Sequence, residues 1–128
     1  MKNIARVLLL AAATSCAVMG GQMTVGDLQK LCTSSDEGDK AACTFYILGV
    51  TEGTSLAANS VKDSSGEFRE IKNKPICIPE GISGTALEFV VKMSIGEDLM
   101  VFPADRDMPA VSFVSAVIRS KFSCQKSK

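Results

Sequence analysis

The chain has 128 residues, of which 14 are Lys or Arg and 14 are Asp or Glu, and it contains neither histidine nor tryptophan. Balanced charge without a clustered basic groove excludes a nucleic-acid binder. The missing histidine excludes serine or cysteine nucleophiles activated by His, His-ligated zinc, and the commonest general base near neutral pH.

Met1–Gly21 opens with Lys2 and Arg6, continues through the apolar run Val7–Ala13, and ends in small residues at Ser15, Ala17, Gly20 and Gly21. That order is the signature of a secretory signal peptide. The run is too short for a transmembrane helix, which needs roughly 20 apolar residues. Val18-Met19-Gly20 and Ser15-Cys16-Ala17 both offer cleavage positions, and Ala13-Thr14-Ser15-Cys16 has the outline of a lipoprotein box that would anchor the chain through Cys16. Setting 21 of the 128 residues aside leaves 107, read as one domain over 22–128 with a modest core. Without Lys2 and Arg6 it has 12 basic against 14 acidic residues.

Thr24 with Asp27 forms a capping-box start, and Val25, Leu28, Leu31 and Cys32 follow at helical spacing. Asp36 or Ser35 then caps a second helix from about Gly38 to Asn59, with Ala42, Cys43, Tyr46, Ile47 and Val50 as its apolar stripe. Residues 60–76 are polar and hold Ser64-Ser65-Gly66, which reads as a long connection with room for one turn at Glu67–Lys72. A third helix follows Cys77-Ile78-Pro79, capped by Ser83 or by Thr85 in a box with Glu88, and buries Leu87, Val90, Val91 and Ile95. Helical periodicity breaks from Gly96 to Met108, where Asp98–Phe102 has room for a turn. Asp107 and Pro109 open the last helix, Val111, Val114, Val117 and Ile118 line it, and Arg119 and Lys121 meet its dipole at the end. The fold class expected is all-α, a small bundle of four main helices.

Cys32, Cys43, Cys77 and Cys124 form an even set in an exported domain, which points to two disulfides. Structural zinc sites bring thiolates in close Cys-x-x-Cys pairs, and here no two cysteines are nearer than eleven residues, so neither a metal nor any other cofactor is expected. Four cysteines allow three connectivities. The helical layout favours one: antiparallel third and fourth helices bring Cys77 and Cys124 to the same end, and a short loop joins Cys32 to Cys43.

Gly49 and Gly53 share one face of the second helix, and glycine costs about 1 kcal/mol in a helix interior relative to alanine. A close helix crossing is the expected reason, inside the fold or across a two-fold dimer. Glu52, Glu88, Glu97 and Asp98 offer carboxylates but no catalytic spacing, so binding is expected in place of catalysis.

Cys43-Thr-Phe-Tyr-Ile-Leu-Gly-Val-Thr-Glu52, Cys77-Ile-Pro-Glu-Gly-Ile-Ser83, Leu87-x-x-Val90-Val91 and the closing Lys121-Phe-Ser-Cys124 occur in an order and spacing that resembles the Rap/Tai immunity proteins of type VI secretion. The resemblance implies a helical periplasmic protein, commonly a homodimer, that binds and blocks a peptidoglycan amidase effector with no small-molecule substrate of its own. An inhibitor of that kind needs only to plug a cleft. The candidate plugs are the 60–76 connection, with Asp63, Glu67, Arg69 and Glu70, and the 102–108 turn, with Asp105, Arg106 and Asp107. The competing expectation is a periplasmic adaptor or stress-linked binding protein without a toxin.

Overall fold

A computed structural model describes residues 21–124. The export signal expected over Met1–Gly21, including Cys16, lies outside these residues except for Gly21. The order is α1 (Val25–Thr33), α2 (Glu37–Asn59), β1 (Ser60–Lys62), β2 (Phe68–Glu70), α3 (Gly84–Val101), a 3-10 turn (Pro103–Asp107) and α4 (Ala110–Lys121).

The helix starts follow local chemistry. At α1 the expected capping box forms, with the Asp27 amide donating to Thr24 Oγ1 at 3.2 Å and the Thr24 amide donating to Asp27 Oδ2 at 3.3 Å. The hydrogen bond from the Thr24 hydroxyl is the main reason the Asp27 carboxyl sits below its usual range. Asp36 caps α2 by accepting from the Asp39 amide at 3.0 Å. Ser83 caps α3 by accepting from the Ala86 amide at 3.1 Å. Glu88 therefore does not serve a box with Thr85; it accepts from Thr44 of α2 at 2.5 Å.

Two stretches depart from the expected layout. Residues 60–70 form an antiparallel hairpin, with Ser60 opposite Glu70, Val61 opposite Arg69 and Lys62 opposite Phe68, so the described residues are mostly helical with one small sheet. And α3 continues through Gly96 to Val101, because the burial of Ile95 and Leu99 outweighs the cost of one exposed-side glycine. The stop comes at Phe102, which the following Pro103 pushes out of the helical region to φ −124 and ψ 74. Asp107 lies in the 3-10 turn and does not cap α4. The start of α4 is instead fixed by backbone: the Ala110 amide donates to Met23 O at 2.8 Å and the Val25 amide to Met108 O at 2.9 Å.

Every helix contributes to one core, which includes Val25, Leu28, Ile47, Val91, Ile95, Val114 and Ile118, and Ile76 closes one side. Antiparallel packing of α2 on α3 is set by the Thr44–Glu88 bond and by Gly84, where a Cβ would come within 3.3 Å of Leu48. Gly84 thus occupies a helix crossing, whereas a Cβ at Gly49 or Gly53 would meet nothing within 4 Å. The crossing inside the fold expected at Gly49 and Gly53 is absent among the described residues. Both disulfides pair as the helical layout favoured. Cys32–Cys43 joins α1 to α2 with Cα atoms 5.1 Å apart, and Cys77–Cys124, at 4.8 Å, joins the approach to α3 to the end of α4. The second bond is flanked by backbone pairing, Cys77 N to Phe122 O at 2.7 Å and Cys124 N to Pro75 O at 3.0 Å.

Candidate functional site

The two candidate plugs lie at opposite ends of the bundle. From the Thr44–Glu88 contact, the hairpin begins sixteen residues further along α2 and the 3-10 turn fifteen residues along the antiparallel α3. At 1.5 Å of rise per residue the two are separated by roughly 45 Å. One cleft cannot take both.

The hairpin is built around Asp63. Its Oδ1 accepts from the Ser65 amide at 2.8 Å, the Ser65 hydroxyl at 2.5 Å and the Glu67 amide at 3.2 Å, while its Oδ2 pairs with Arg69 Nε at 2.6 Å. These donors, the Ser65 hydroxyl foremost, hold the Asp63 carboxyl below the usual carboxylate range. The Gly66 amide donates to Asp63 O at 3.0 Å, closing a turn in which Gly66 takes φ +89, a conformation that side-chain-bearing residues rarely adopt. Asp63 and Arg69 are therefore committed to shaping the loop, and Glu67 is exposed beside it. Glu70 pairs with Lys74 at 2.6 Å.

What the hairpin offers a partner is more apolar than its composition suggests. Phe68 is 66% exposed and Val61 55% exposed, on opposite faces of the ribbon because side chains alternate along a strand. Neither residue stood out in the sequence reading. The available signal was the pair of short alternating runs, Val61-Lys62 and Phe68-Arg69-Glu70, around the turn formers Asp63-Ser64-Ser65-Gly66. The base is anchored by Asn59, whose Nδ2 donates to Ile76 O at 2.8 Å and whose Oδ1 accepts from the Ile76 amide at 3.2 Å. Between this base and α2 lies a cleft of ≈ 330 Å³.

The 3-10 turn has a different character. Asp105 is half-buried and faces Asp98 of α3; burial first, then the negative charge of Asp105, raises the Asp98 carboxyl above its usual range. Asp98 Oδ2 is shut off from solvent with no hydrogen-bond partner. Arg106 lies over Gly26 of α1, where a Cβ would overlap its Cγ. Asp107 is exposed. Met100, Val101 and Phe102 at the neighbouring end of α3 are exposed, Met100 at 85%. A groove of ≈ 390 Å³ runs beside them between α3 and α4, lined by Asp98, Phe102, Phe113 and Val117 among others.

A third surface runs along the outside of α2 and α3. Phe45 is 72% exposed on the face that carries Gly49, Gly53 and Leu56, and Phe89 is 64% exposed on the face that carries Met93, Gly96 and Met100. Phe45 and Phe89 each follow one partner of the Thr44–Glu88 bond, so they lie at the same level of the antiparallel pair, each turned about 100° around its helix from that contact. Glycines on these faces allow another backbone to approach closely.

The described residues contain no group of His, Cys, Asp and Glu arranged to hold a metal ion, and no helix long and apolar enough to cross a membrane. A family model described as Rap1a immunity proteins matches residues 24–124. No curated protein and no solved structure gives a significant match.

Proposed function

The chain belongs to the Rap1a immunity proteins, and from that premise we propose that it is exported to the periplasm and there blocks a peptidoglycan amidase by occluding the enzyme's cleft with the 60–70 hairpin. Membership makes it an immunity protein of the type VI effector class, an inhibitor and not an enzyme. The amidase target, the periplasmic site of action and the hairpin's role are our reading.

The observation that carries the reading is the hairpin itself. Asp63 gathers four donors and Asn59 clamps the base, so the projecting segment holds its shape before a partner arrives. A preformed element avoids the ordering cost of a flexible loop, which is about 0.5–1.5 kcal/mol for each side chain immobilised at an interface. Phe68 and Val61 supply apolar surface that is unburied within the chain. Asp63, Glu67, Arg69 and Glu70 then divide the work: Asp63 and Arg69 shape the loop, and Glu67 and Glu70 face the partner. Asp105, Arg106 and Asp107, at the far end, form a secondary contact at most.

We further propose that the chain pairs with a second copy through the α2–α3 face around Phe45, Gly49, Gly53, Phe89 and Met93. Gly53→Leu should shift sedimentation toward monomer before any helicity is lost, and an unchanged sedimentation coefficient would remove this dimer surface. The functional reading is tested by mixing the purified chain with the amidase encoded beside its gene. Inhibition of peptidoglycan cleavage at equimolar ratio, and co-purification with the amidase whose nucleophile is replaced by alanine, are expected. An amidase that stays fully active at tenfold excess of the chain would favour the toxin-free adaptor instead.

A further inference from the structure

We propose that the cleft at the root of the hairpin seats one basic side chain, Lys or Arg, from the rim of the toxin's active site; the proposal rests on the immunity reading above. The cleft, ≈ 330 Å³, is lined by Glu52, Leu56, Asn59, Ser60, Glu70 and Ile78 together with Ser55. Its volume lies at the small end of the range for ligand pockets and has room for a single long side chain.

The polar atoms of the lining point to a cation. Asn59 spends its amide donors on Ser55 and on Ile76 O, and the Ser60 hydroxyl donates to Leu56 O at 2.5 Å. Most of the donor capacity is thus turned into the fold, the Ser55 hydroxyl proton excepted, and both charged groups of the lining, the Glu52 and Glu70 carboxylates, are acceptors. Glu52 makes no ion pair among the described residues, and Glu70 meets Lys74 through Oε1 only. Leu56, 61% exposed, and Ile78 supply apolar walls. A Lys or Arg side chain has this same division, an aliphatic stem that covers apolar surface and a charged head with several donors.

The position of the cleft identifies the source of the side chain. Ser60, Lys62, Phe68 and Glu70 share one face of the ribbon, so a protein that receives Phe68 also lies over Glu70 and the cleft beside it. Glu52 is one turn from Leu56 on α2 and completes the negative side. The hairpin inserts and the cleft at its base fixes the register of insertion; in this way a charge pair sets specificity at the edge of an apolar contact.

The test uses the full mature chain and the neighbour-encoded amidase carrying alanine in place of its nucleophilic cysteine, with Kd measured by calorimetry at low and high salt. E52Q/E70Q should weaken binding at least 30-fold at low salt and flatten the salt dependence, and each single change should weaken it at least fivefold. Lys74→Gln, which breaks the Glu70–Lys74 pair but leaves both carboxylates, should bind no more weakly than wild type. A Lys or Arg to Glu change at the toxin's cleft rim should restore affinity for E52K/E70K. The proposal is overturned if E52Q/E70Q binds within threefold of wild type while Phe68→Ala weakens binding, an outcome that leaves the immunity reading in place. It is also overturned if E52Q/E70Q alters sedimentation of the free chain and not Kd, which would give the cleft to a second copy. If the wild-type chain does not bind the amidase, both readings fall. Should the double variant lose helicity, E52Q alone decides, since Glu52 is on an exposed helix face.

Discussion

Phe68→Ala separates binding from stability most cleanly. Burying a phenylalanine side chain removes about 150–250 Å² from water, roughly 200 Å² for the ring and its methylene. Phe68 is already 34% covered by its own hairpin, given its 66% exposure, so about 130 Å² is left for a partner to bury. At about 25 cal/mol per Å² that is roughly 3 kcal/mol, and an alanine keeps a fraction of it, leaving a loss of about 2–3 kcal/mol. Tenfold in Kd corresponds to about 1.4 kcal/mol, so affinity for the amidase should fall by about 30- to 150-fold. Stability should hardly change, because an exposed position with no buried partner lies within about 0.5 kcal/mol of neutral. Calorimetric titration against the inactive amidase, paired with thermal unfolding of the free variant, reads both quantities. Lys62→Ala, on the same face one strand across, is the control and should cost less than about threefold. A Phe68→Ala chain that unfolds at the wild-type temperature and binds within threefold of wild type would refute the hairpin as the inserting element.

Four further outcomes follow from the packing. Removing Cys77–Cys124, which spans 47 residues, should cost about 4 kcal/mol in urea unfolding by the loop-entropy relation. Removing Cys32–Cys43, which spans 11, should cost about 3 kcal/mol on the same basis plus the packing of two buried sulfurs; a loss below about 1 kcal/mol in either Cys→Ala pair would show that the unfolded chain is not what these bonds restrain. Asp98→Asn should raise Tm at pH 7. Burial and Asp105 raise the folded carboxyl's pKa above the ordinary 3.8, so its contribution is present below that value and lost as pH rises through the folded one. The benefit of the substitution should therefore shrink toward pH 4, and a Tm gain that is flat with pH would refute the account. Gly26→Ala forces the Arg106 side chain off α1, so amide exchange in the 3-10 turn should quicken while the hairpin's exchange is unaffected; unchanged protection at residues 103–107 would refute it.

Local chemistry wrote itself legibly into the chain wherever a few neighbouring residues decide the outcome. Thr24 and Asp27 cap α1, Asp36 caps α2, and Ser83 caps α3, each through atoms three residues apart. The disulfide pairing was legible for the same reason, since helix order alone put Cys77 and Cys124 at one end and Cys32 next to Cys43. The hairpin was harder, because two three-residue strands carry too few alternating positions to outweigh a polar composition. Its pairing is completed by Asn59, which reaches 17 residues along the chain to Ile76.

The sequence by itself determined the helices, the starts of α1, α2 and α3 and the covalent ties between them, because capping, periodicity and cysteine spacing act over a few residues or through helix order. Only the tertiary structure decided which surfaces are left over. It moved the close-packed glycine from Gly49 and Gly53 to Gly84, committed Asp63 and Arg69 to each other, and set the two charged loops at opposite ends of the bundle. The physical reason is that exposure is a property of what packs against a residue, and the neighbours that cover Gly84 or leave Phe68 bare come from elements far apart in the chain.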